Sequence, residues 1–167
     1  MRTHHKILIG LATLLPTICH AQSDHAQSNC LWLNEGTARV ILGGAVTVTV
    51  NGTGQHSVCE FSSRQGSAIH QIMISVNLMT NISKQFHAYL SKCSAKSTPL
   101  SSIGNQAVMC SGTTNQNAYA DKVVGRVRDQ AFIVSVSSSI DNDPSLGPDL
   151  RRKLANLIAE QVAGALF

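Results

Sequence analysis

Hydrophobic and polar residues alternate most regularly over residues 119–139. Every second residue from Val123 to Val127 is Val or Gly, and every second residue from Phe132 to Val136 is Phe or Val. An alternation of period two on both sides of a short polar pair predicts a β-hairpin with Asp129 and Gln130 as its turn. A shift of one residue would expose the apolar set, so the pattern indicates which face is buried. The predicted facing pairs are Val127–Phe132, Gly125–Val134 and Val123–Val136.

The opposite face of this hairpin carries cationic and hydroxyl side chains. Such groups could hold a carboxylate or phosphate by charge-assisted hydrogen bonds. They are also typical of an ordinary solvated sheet face. Val124 and Ile133 share this face, and a mixture of apolar and cationic groups would equally suit a protein partner. The candidate ligand-binding residues are Lys122, Arg126, Arg128, Ser135 and Ser137.

The rest of the chain shows both helical and strand periodicity. Asn34 and Asn81 are each followed by apolar residues at helical spacing, and Pro148 opens a third helical stripe. Period-two segments over residues 45–50, 56–61, 68–78 and 103–110 predict further strands, whereas residues 96–102 and 111–117 are interpreted as loops. The resulting order predicts an α+β domain, with a mainly antiparallel sheet of about six strands and three helices packed on it.

The first residues have the pattern of a secretory signal peptide. Basic residues precede an apolar run over residues 7–18, and a small residue, Ala21, marks the cleavage site. We therefore expect a signal peptide over residues 1–21, a disordered lead over 22–29 and a single domain over 30–167. The mature protein would be periplasmic or extracellular. Lipidation of Cys19 is the rival interpretation, and the bulky Ile18 before it disfavours that reaction.

Charge gives little support for a nucleic-acid partner. Loss of Arg2 and Lys6 with the signal peptide lowers the formal net charge from +4 to +2. Only 4% of the residues are aromatic, so no stacking surface for bases is evident. The apolar run near the start is shorter than the roughly 20 residues that span a bilayer. We expect a monomer without a transmembrane segment.

Four of the five cysteines remain after the predicted cleavage. An even number in an exported chain predicts two disulfides, for which three connectivities are open. We favour Cys30 with Cys59 and Cys93 with Cys110, because each bond then ties a helix end or its approach to a nearby strand. A zinc site is the alternative, and the absence of any Cys-x-x-Cys spacing disfavours it.

Several short motifs resemble a known family. Cys30-Leu31 leads into the first helix, Cys59-Glu60-Phe61 lies in a strand, and Cys93 ends the second helix. Residues 99–107 contain a segment similar to the family's Gly-Asp-x-Ala turn, with Asn105 in the acidic position. In these features the chain resembles secreted or lipid-anchored bacterial proteins of unknown function that have paired cysteines in a PsbP-like α+β domain. The resemblance implies a fold and a location in the cell envelope, and it brings no catalytic residues.

Motifs for catalysis or cofactor binding are not recognisable. The chain lacks a Gly-x-Ser-x-Gly nucleophile motif, and Gly43-Gly44 follows a helix, whereas a phosphate loop precedes one. His56, His70 and His87 could approach one another to hold a metal, but each also suits an ordinary structural or surface position. We therefore expect no catalytic residues, no metal and no cofactor.

Together these patterns predict an exported, disulfide-stapled binding or accessory domain of the bacterial envelope that is not catalytic. Its partner would be an unidentified protein or a small anionic ligand, with Lys122, Arg126 and Arg128 at the contact surface. The alternative from a different class is a small secreted hydrolase whose site forms only in three dimensions.

Overall fold

The domain is built on one antiparallel sheet of seven strands. The structure is a computed structural model that describes residues 29–93, 97–115 and 118–167. Every neighbouring pair of strands is antiparallel, and the strands lie in the order β1-β2-β3-β7-β6-β5-β4. The α+β class is confirmed, with one strand more than expected. The strands are β1 Thr47–Thr53, β2 His56–Gln65, β3 Ala68–Leu78, β4 Ser97–Leu100, β5 Gln106–Asn115, β6 Ala118–Val127 and β7 Gln130–Ser138.

Three helices pack on this sheet, as the sequence predicts, and asparagine side chains cap two of them. Asn34 Oδ1 accepts a hydrogen bond from the amide of Thr37 at 2.8 Å, and Asn81 Oδ1 accepts one from Lys84 at 3.1 Å. The short polar side chain thus satisfies an amide that has no partner inside the helix. The helices are α1 Glu35–Leu42, α2 Ile82–Leu90 and α3 Pro148–Leu166.

The helices pack on both faces of the sheet and bury them to different extents. Helices α1 and α3 cover the apolar face and form the main core with it. Helix α2 packs on the opposite face, where its buried Phe86 forms a smaller cluster with Val124 and Ala131. The main core includes the alternating residues that indicated the hairpin's buried face, Val123, Val127, Phe132, Val134 and Val136.

The hairpin of β6 and β7 is confirmed, but its predicted register is wrong by two residues. Its turn is Arg128-Asp129, so Val127 faces Gln130, Gly125 faces Phe132 and Val123 faces Val134. A change of two in the pairing leaves each side chain on its predicted face. The physical reason lies partly at Gly125, because a Cβ atom there would overlap the ring of Phe132.

A neighbouring turn also stabilises the observed hairpin end. Asn105 Oδ1 accepts a hydrogen bond from the amide of Arg128 at 2.6 Å, and the Asn105 amide donates to the carbonyl of Arg126 at 2.8 Å. Arg128 has a positive φ of 53°, which a non-glycine residue rarely adopts. The preceding Gly104 has φ 59°, and a Cβ there would overlap the Arg126 carbonyl. This glycine therefore permits the close approach of the two turns.

Two segments that were predicted as loops contain strands. Residues 97–100 form β4, which pairs with β5 at the sheet edge, and β5 continues through residue 115. The edge position of β4 accommodates Pro99, which cannot donate a ladder hydrogen bond. The predicted loop residues 96, 116 and 117 lie outside the described residues, as do the predicted signal peptide and all of the lead except Asn29.

Two disulfides link the chain with the favoured connectivity. Cys30 is bonded to Cys59 across 29 residues, with Cα atoms 5.7 Å apart, and Cys93 is bonded to Cys110 across 17 residues, with Cα atoms 5.3 Å apart. The first bond fastens the segment before α1 to β2. The second fastens the segment after α2 to β5, so each face of the sheet has one covalent attachment.

Within the described ranges, no helix is both long enough and apolar enough to cross a membrane.

Candidate functional site

Within the described residues, helix α2 covers only part of the sheet face on which it packs. Helix α2 lies against Val124 of β6 and packs beside Ile133 of β7. Farther along the same strands, away from the β6–β7 turn, the side chains on this face are small or polar. The uncovered part forms a shallow groove of about 170 Å³. We call it the sheet groove, and it is lined by Gln71, Met73, Ala118, Ala120, Lys122, Ser135 and Ser137.

Strand pairing brings the polar residues of the sheet groove together. Lys122 lies directly opposite Ser135, and Ser135 lies opposite Met73 on its other side. Ser137 is flanked in the same way by Ala120 and Gln71. Directly paired side chains on one face have Cβ atoms about 4.5–5.5 Å apart. Lys122 and the two serines therefore line one small area of the central strands.

The serines of the sheet groove are almost buried but remain accessible to solvent. Ser135 is 6% exposed and Ser137 is 7% exposed. No buried side-chain nitrogen or oxygen of the described residues lacks a hydrogen-bond partner. The hydroxyls of Ser135 and Ser137 form no hydrogen bond with the described residues. Both hydroxyls must therefore be in contact with solvent in the sheet groove. They are available as donors to a bound group.

The sheet groove has one cationic lining residue, Lys122, among the described residues. Lys122 is half-buried and forms no ion pair with any carboxylate in the described ranges. Gln71, at the other side of the groove, donates its amide to Glu60 Oε1 at 2.6 Å. This hydrogen bond holds the Gln71 side chain toward β2. Lys122 is thus the cationic residue that lines the sheet groove together with the two serines.

The five candidate ligand-binding residues do not lie at one site. Lys122, Ser135 and Ser137 share the sheet groove. Arg126 lies beneath α2, with its guanidinium carbon 5.8 Å from the centre of the Phe86 ring. Arg128 is in the hairpin turn and is exposed. Because α2 covers the surface between Lys122 and Arg126, one small ligand would not contact all three cations.

The three histidines of the predicted mature domain lie apart. His56 and His70 are on paired strands but at opposite ends, where His56 faces Asn77 and His70 faces Ser63. His56 Nδ1 contacts the side-chain oxygen of Asn77. His87 is exposed on α2. In the ranges that the structure describes, no three His, Cys, Asp or Glu side chains are grouped closely enough to hold a metal ion.

A buried hydrogen-bond network surrounds His70 on the core face of the sheet. Its Nε2 lies 2.7 Å from Asp143 Oδ2, and the Ser138 hydroxyl donates to the same carboxylate oxygen at 2.6 Å. The other ring nitrogen of His70 faces the Leu42 carbonyl at 3.5 Å. His70, Ser138 and Asp143 are each at most 3% exposed. The serine bonds the acid rather than the imidazole, so the order of contacts differs from that of a nucleophilic triad.

The carboxylate of Asp143 is the centre of this network. Its Oδ1 also accepts hydrogen bonds from the Ser145 amide at 2.8 Å, the Ser145 hydroxyl at 2.6 Å and the Leu146 amide at 3.2 Å. Burial disfavours the charged form, but the hydrogen bonds from Ser138, Ser145 and His70 outweigh it and hold the pKa of Asp143 well below its usual range. The network therefore fixes the loop between β7 and α3.

A buried ion pair joins α3 to the sheet. Arg151 Nε donates to Asp121 Oδ2 at 3.1 Å, and Arg151 Nη1 donates to the carbonyl of Leu146 at 3.0 Å. Both charged side chains are less than 5% exposed. Leu146 therefore receives bonds from both networks, because its amide bonds Asp143 and its carbonyl bonds Arg151.

Sequence reasoning missed Gln71 and Met73 as parts of the sheet groove. Both residues belong to β3, and nothing in the local sequence shows that β3 lies beside β7. It also missed the buried networks. The sequence contains a signal for these networks, because Asp121 and Ser138 occupy the next positions in the alternating apolar series of β6 and β7. A charged or hydroxyl residue in such a series indicates a buried partner.

No known protein family matches this chain, and a search of curated proteins likewise finds no match.

Proposed function

We propose that this chain is an exported, disulfide-stapled binding domain of the bacterial envelope that holds a small anionic group in the sheet groove. Lys122 supplies the charge, and the hydroxyls of Ser135 and Ser137 donate hydrogen bonds. The domain acts by contact rather than by catalysis, and as a monomer. The resemblance to PsbP-like envelope proteins agrees with this location.

One observation carries the proposal. Lys122 is half-buried and forms no ion pair in the described ranges. It lies directly opposite Ser135 on the neighbouring strand, and Ser137 lies two residues farther along that strand. Both serines are nearly buried, and their hydroxyls reach solvent. An ordinary solvated lysine extends from a mobile, exposed position, whereas this one has hydroxyl donors fixed beside it by the sheet. Hydrogen bonds between a cationic or hydroxyl donor and an anion are shorter and stronger than those between neutral groups. Carboxylate and phosphate both have the chemistry that this arrangement favours.

The disulfides support an oxidising compartment. The four cysteines within the described ranges all form disulfides, and each bond joins the segment flanking a helix to a strand of the sheet. Disulfides persist in exported proteins and are rare where thiols are kept reduced. Mass spectrometry of the native protein from envelope fractions, without reduction, would test this. We expect a mature mass beginning at Gln22 with two disulfides, and a lipid on Cys19 or free thiols would contradict it.

Thermal unfolding of the oxidised protein in phosphate tests the binding site. A ligand at about ten times its Kd stabilises the folded state by about 1.4 kcal/mol. For a domain of this size, that is a rise in Tm of about 3–6 °C. Because phosphate also stabilises proteins by exclusion from their surface, the readout is the difference between variants at one phosphate concentration. Sodium chloride at matched ionic strength is the reference, and acetate in a parallel series distinguishes a carboxylate site from a phosphate site.

The matched variants are Lys122→Met and Lys153→Met. Lys153 is exposed on α3, on the other side of the sheet. We expect the anion-dependent rise in Tm to disappear in Lys122→Met and to remain in Lys153→Met. An equal rise in both variants and the wild type would contradict the proposal, because stabilisation would then be independent of the groove.

A further inference from the structure

A second groove lies where α2 meets β5 and β6, and we call it the helix groove. One wall is an apolar stripe of α2 formed by Ile82, Phe86 and Leu90, which are spaced four residues apart. The other wall is formed by Gln106 and Arg126, which lie directly opposite each other on paired strands. The volume of about 390 Å³ is within the range of small-molecule sites, roughly 300–1,000 Å³.

The two walls of the helix groove differ in chemistry. Arg126 is half-buried as a residue, and its guanidinium carbon lies 5.8 Å from the centre of the Phe86 ring. Toward the residues that the structure describes, it makes one long hydrogen bond, in which Nη1 donates to the carbonyl of Arg128 at 3.5 Å. No carboxylate of the described ranges forms an ion pair with Arg126. Most of the five N–H donors of a guanidinium thus remain for an anion.

We infer that the helix groove binds an amphiphilic carboxylate with a single alkyl chain. The carboxylate pairs with Arg126 and accepts from the amide of Gln106, and the chain lies along the stripe from Phe86, where the guanidinium is, toward Ile82. That part of the stripe is about 6 Å long at the rise of an α-helix. Ile82 is 38% exposed, so the far end of the stripe is open to an alkyl chain that continues beyond the helix.

Charge complementarity selects this ligand class. An apolar ligand without a charge would leave the guanidinium of Arg126 desolvated and unpaired, which is costly for a partly buried charge. A small anion without a chain would leave the stripe of α2 in contact with water. Only a ligand with both parts uses both walls. This site is separate from the sheet groove and does not depend on the function proposed for it.

Titration of the oxidised, ¹⁵N-labelled protein with octanoate tests the inference. Two matched probes accompany it: 1-octanol has the chain without the charge, and acetate has the charge without the chain. We expect octanoate to shift the amide resonances of α2 and of residues 106 and 126 in a saturable way. Octanol and acetate should each bind at least about tenfold more weakly, since each lacks one of the two interactions.

Three variants make the result specific. Arg126→Met should weaken octanoate binding at least about tenfold and leave octanol binding at least as strong as in the wild type, because octanol no longer desolvates a charge. Arg64→Met, at an exposed arginine of β2, should bind octanoate as the wild type does. Ile82→Ser changes a partly exposed residue, so it should weaken octanoate binding without unfolding the domain.

Equal affinities for octanoate and octanol would overturn the inference, and so would wild-type affinity in Arg126→Met. Shifts confined to the sheet groove would overturn it as well, and they would at the same time favour the anion site at Lys122. The two proposals can therefore fail independently.

Discussion

Replacing Asp143 by alanine should destabilise the domain more than any ordinary surface substitution. The carboxylate accepts hydrogen bonds from the Ser138 hydroxyl, the Leu146 amide, His70 Nε2 and two donors of Ser145. Alanine would leave these donors without an acceptor, and three of them belong to fully buried groups. Each buried unsatisfied donor costs about 1–3 kcal/mol, and rotation of the hydroxyls recovers part of this. We expect a loss of about 3–5 kcal/mol in the free energy of unfolding.

Asp143→Asn separates the loss of hydrogen bonds from the loss of charge. The asparagine oxygen can still accept from Ser145 and Leu146, and its amide nitrogen replaces Oδ2. The Ser138 hydroxyl can rotate to accept from that nitrogen. We expect a smaller loss, about 1–2 kcal/mol. Urea unfolding followed by the fluorescence of the single tryptophan, Trp32, which is 8% exposed, measures both variants on one scale.

The same pair of proteins tests the sign of the pH dependence. The pKa of Asp143 is lowered in the folded state, so its carboxylate contributes stability that is fully present above the ordinary aspartate pKa of about 3.9. That contribution is lost as the pH falls from there toward the folded-state pKa. The stability difference between wild type and Asp143→Asn should therefore be constant near neutral pH and narrow in acid. A loss below about 1 kcal/mol in Asp143→Ala, or a difference that widens in acid, would refute the reasoning.

Two further predictions concern packing and the second disulfide. Gly125→Ala should cost about 2–3 kcal/mol in urea unfolding because its Cβ overlaps the Phe132 ring, whereas Gly164→Ala, with open space around it in α3, should be neutral or stabilising by up to about 1 kcal/mol. Equal effects at the two glycines would contradict this. Replacing both Cys93 and Cys110 by alanine opens a 17-residue loop and should cost about 3 kcal/mol, with faster amide exchange concentrated in α2. Uniformly faster exchange across the sheet would instead show that the bond does not specifically fasten α2.

Periodicity predicts the faces of the strands well because burial of one face is a property of each strand alone. The residues on the core face of β6 and β7 are those that alternate in the sequence. The strand register cannot be predicted in the same way, because Gly125 can face either Val134 or Phe132 without changing its side of the sheet. The choice depends on the ring of Phe132, which lies within the hairpin, and on the contact from Asn105, which lies 23 residues before Arg128.

Local sequence patterns were also insufficient to predict the edge strand β4 and the full lining of the sheet groove. Residues 97–100 carry no alternation of their own and become a strand because β5 lies beside them. Lys122, Ser135 and Ser137 were predicted together because the hairpin is local. Gln71 comes from β3, whose position next to β7 results from a crossover in the sheet order. The separation of Arg126 from Lys122 likewise required knowing where α2 packs.

The most direct test of anion binding in the sheet groove is an NMR titration of the oxidised, ¹⁵N-labelled protein with phosphate at constant ionic strength. We predict saturable shifts of the amide resonances of residues 71–73, 120–122 and 135–137. The shifts should not saturate in Lys122→Met, and they should saturate in Lys153→Met as they do in the wild type. Shifts that rise linearly without saturation, or that centre elsewhere on the domain, would contradict the proposed binding site.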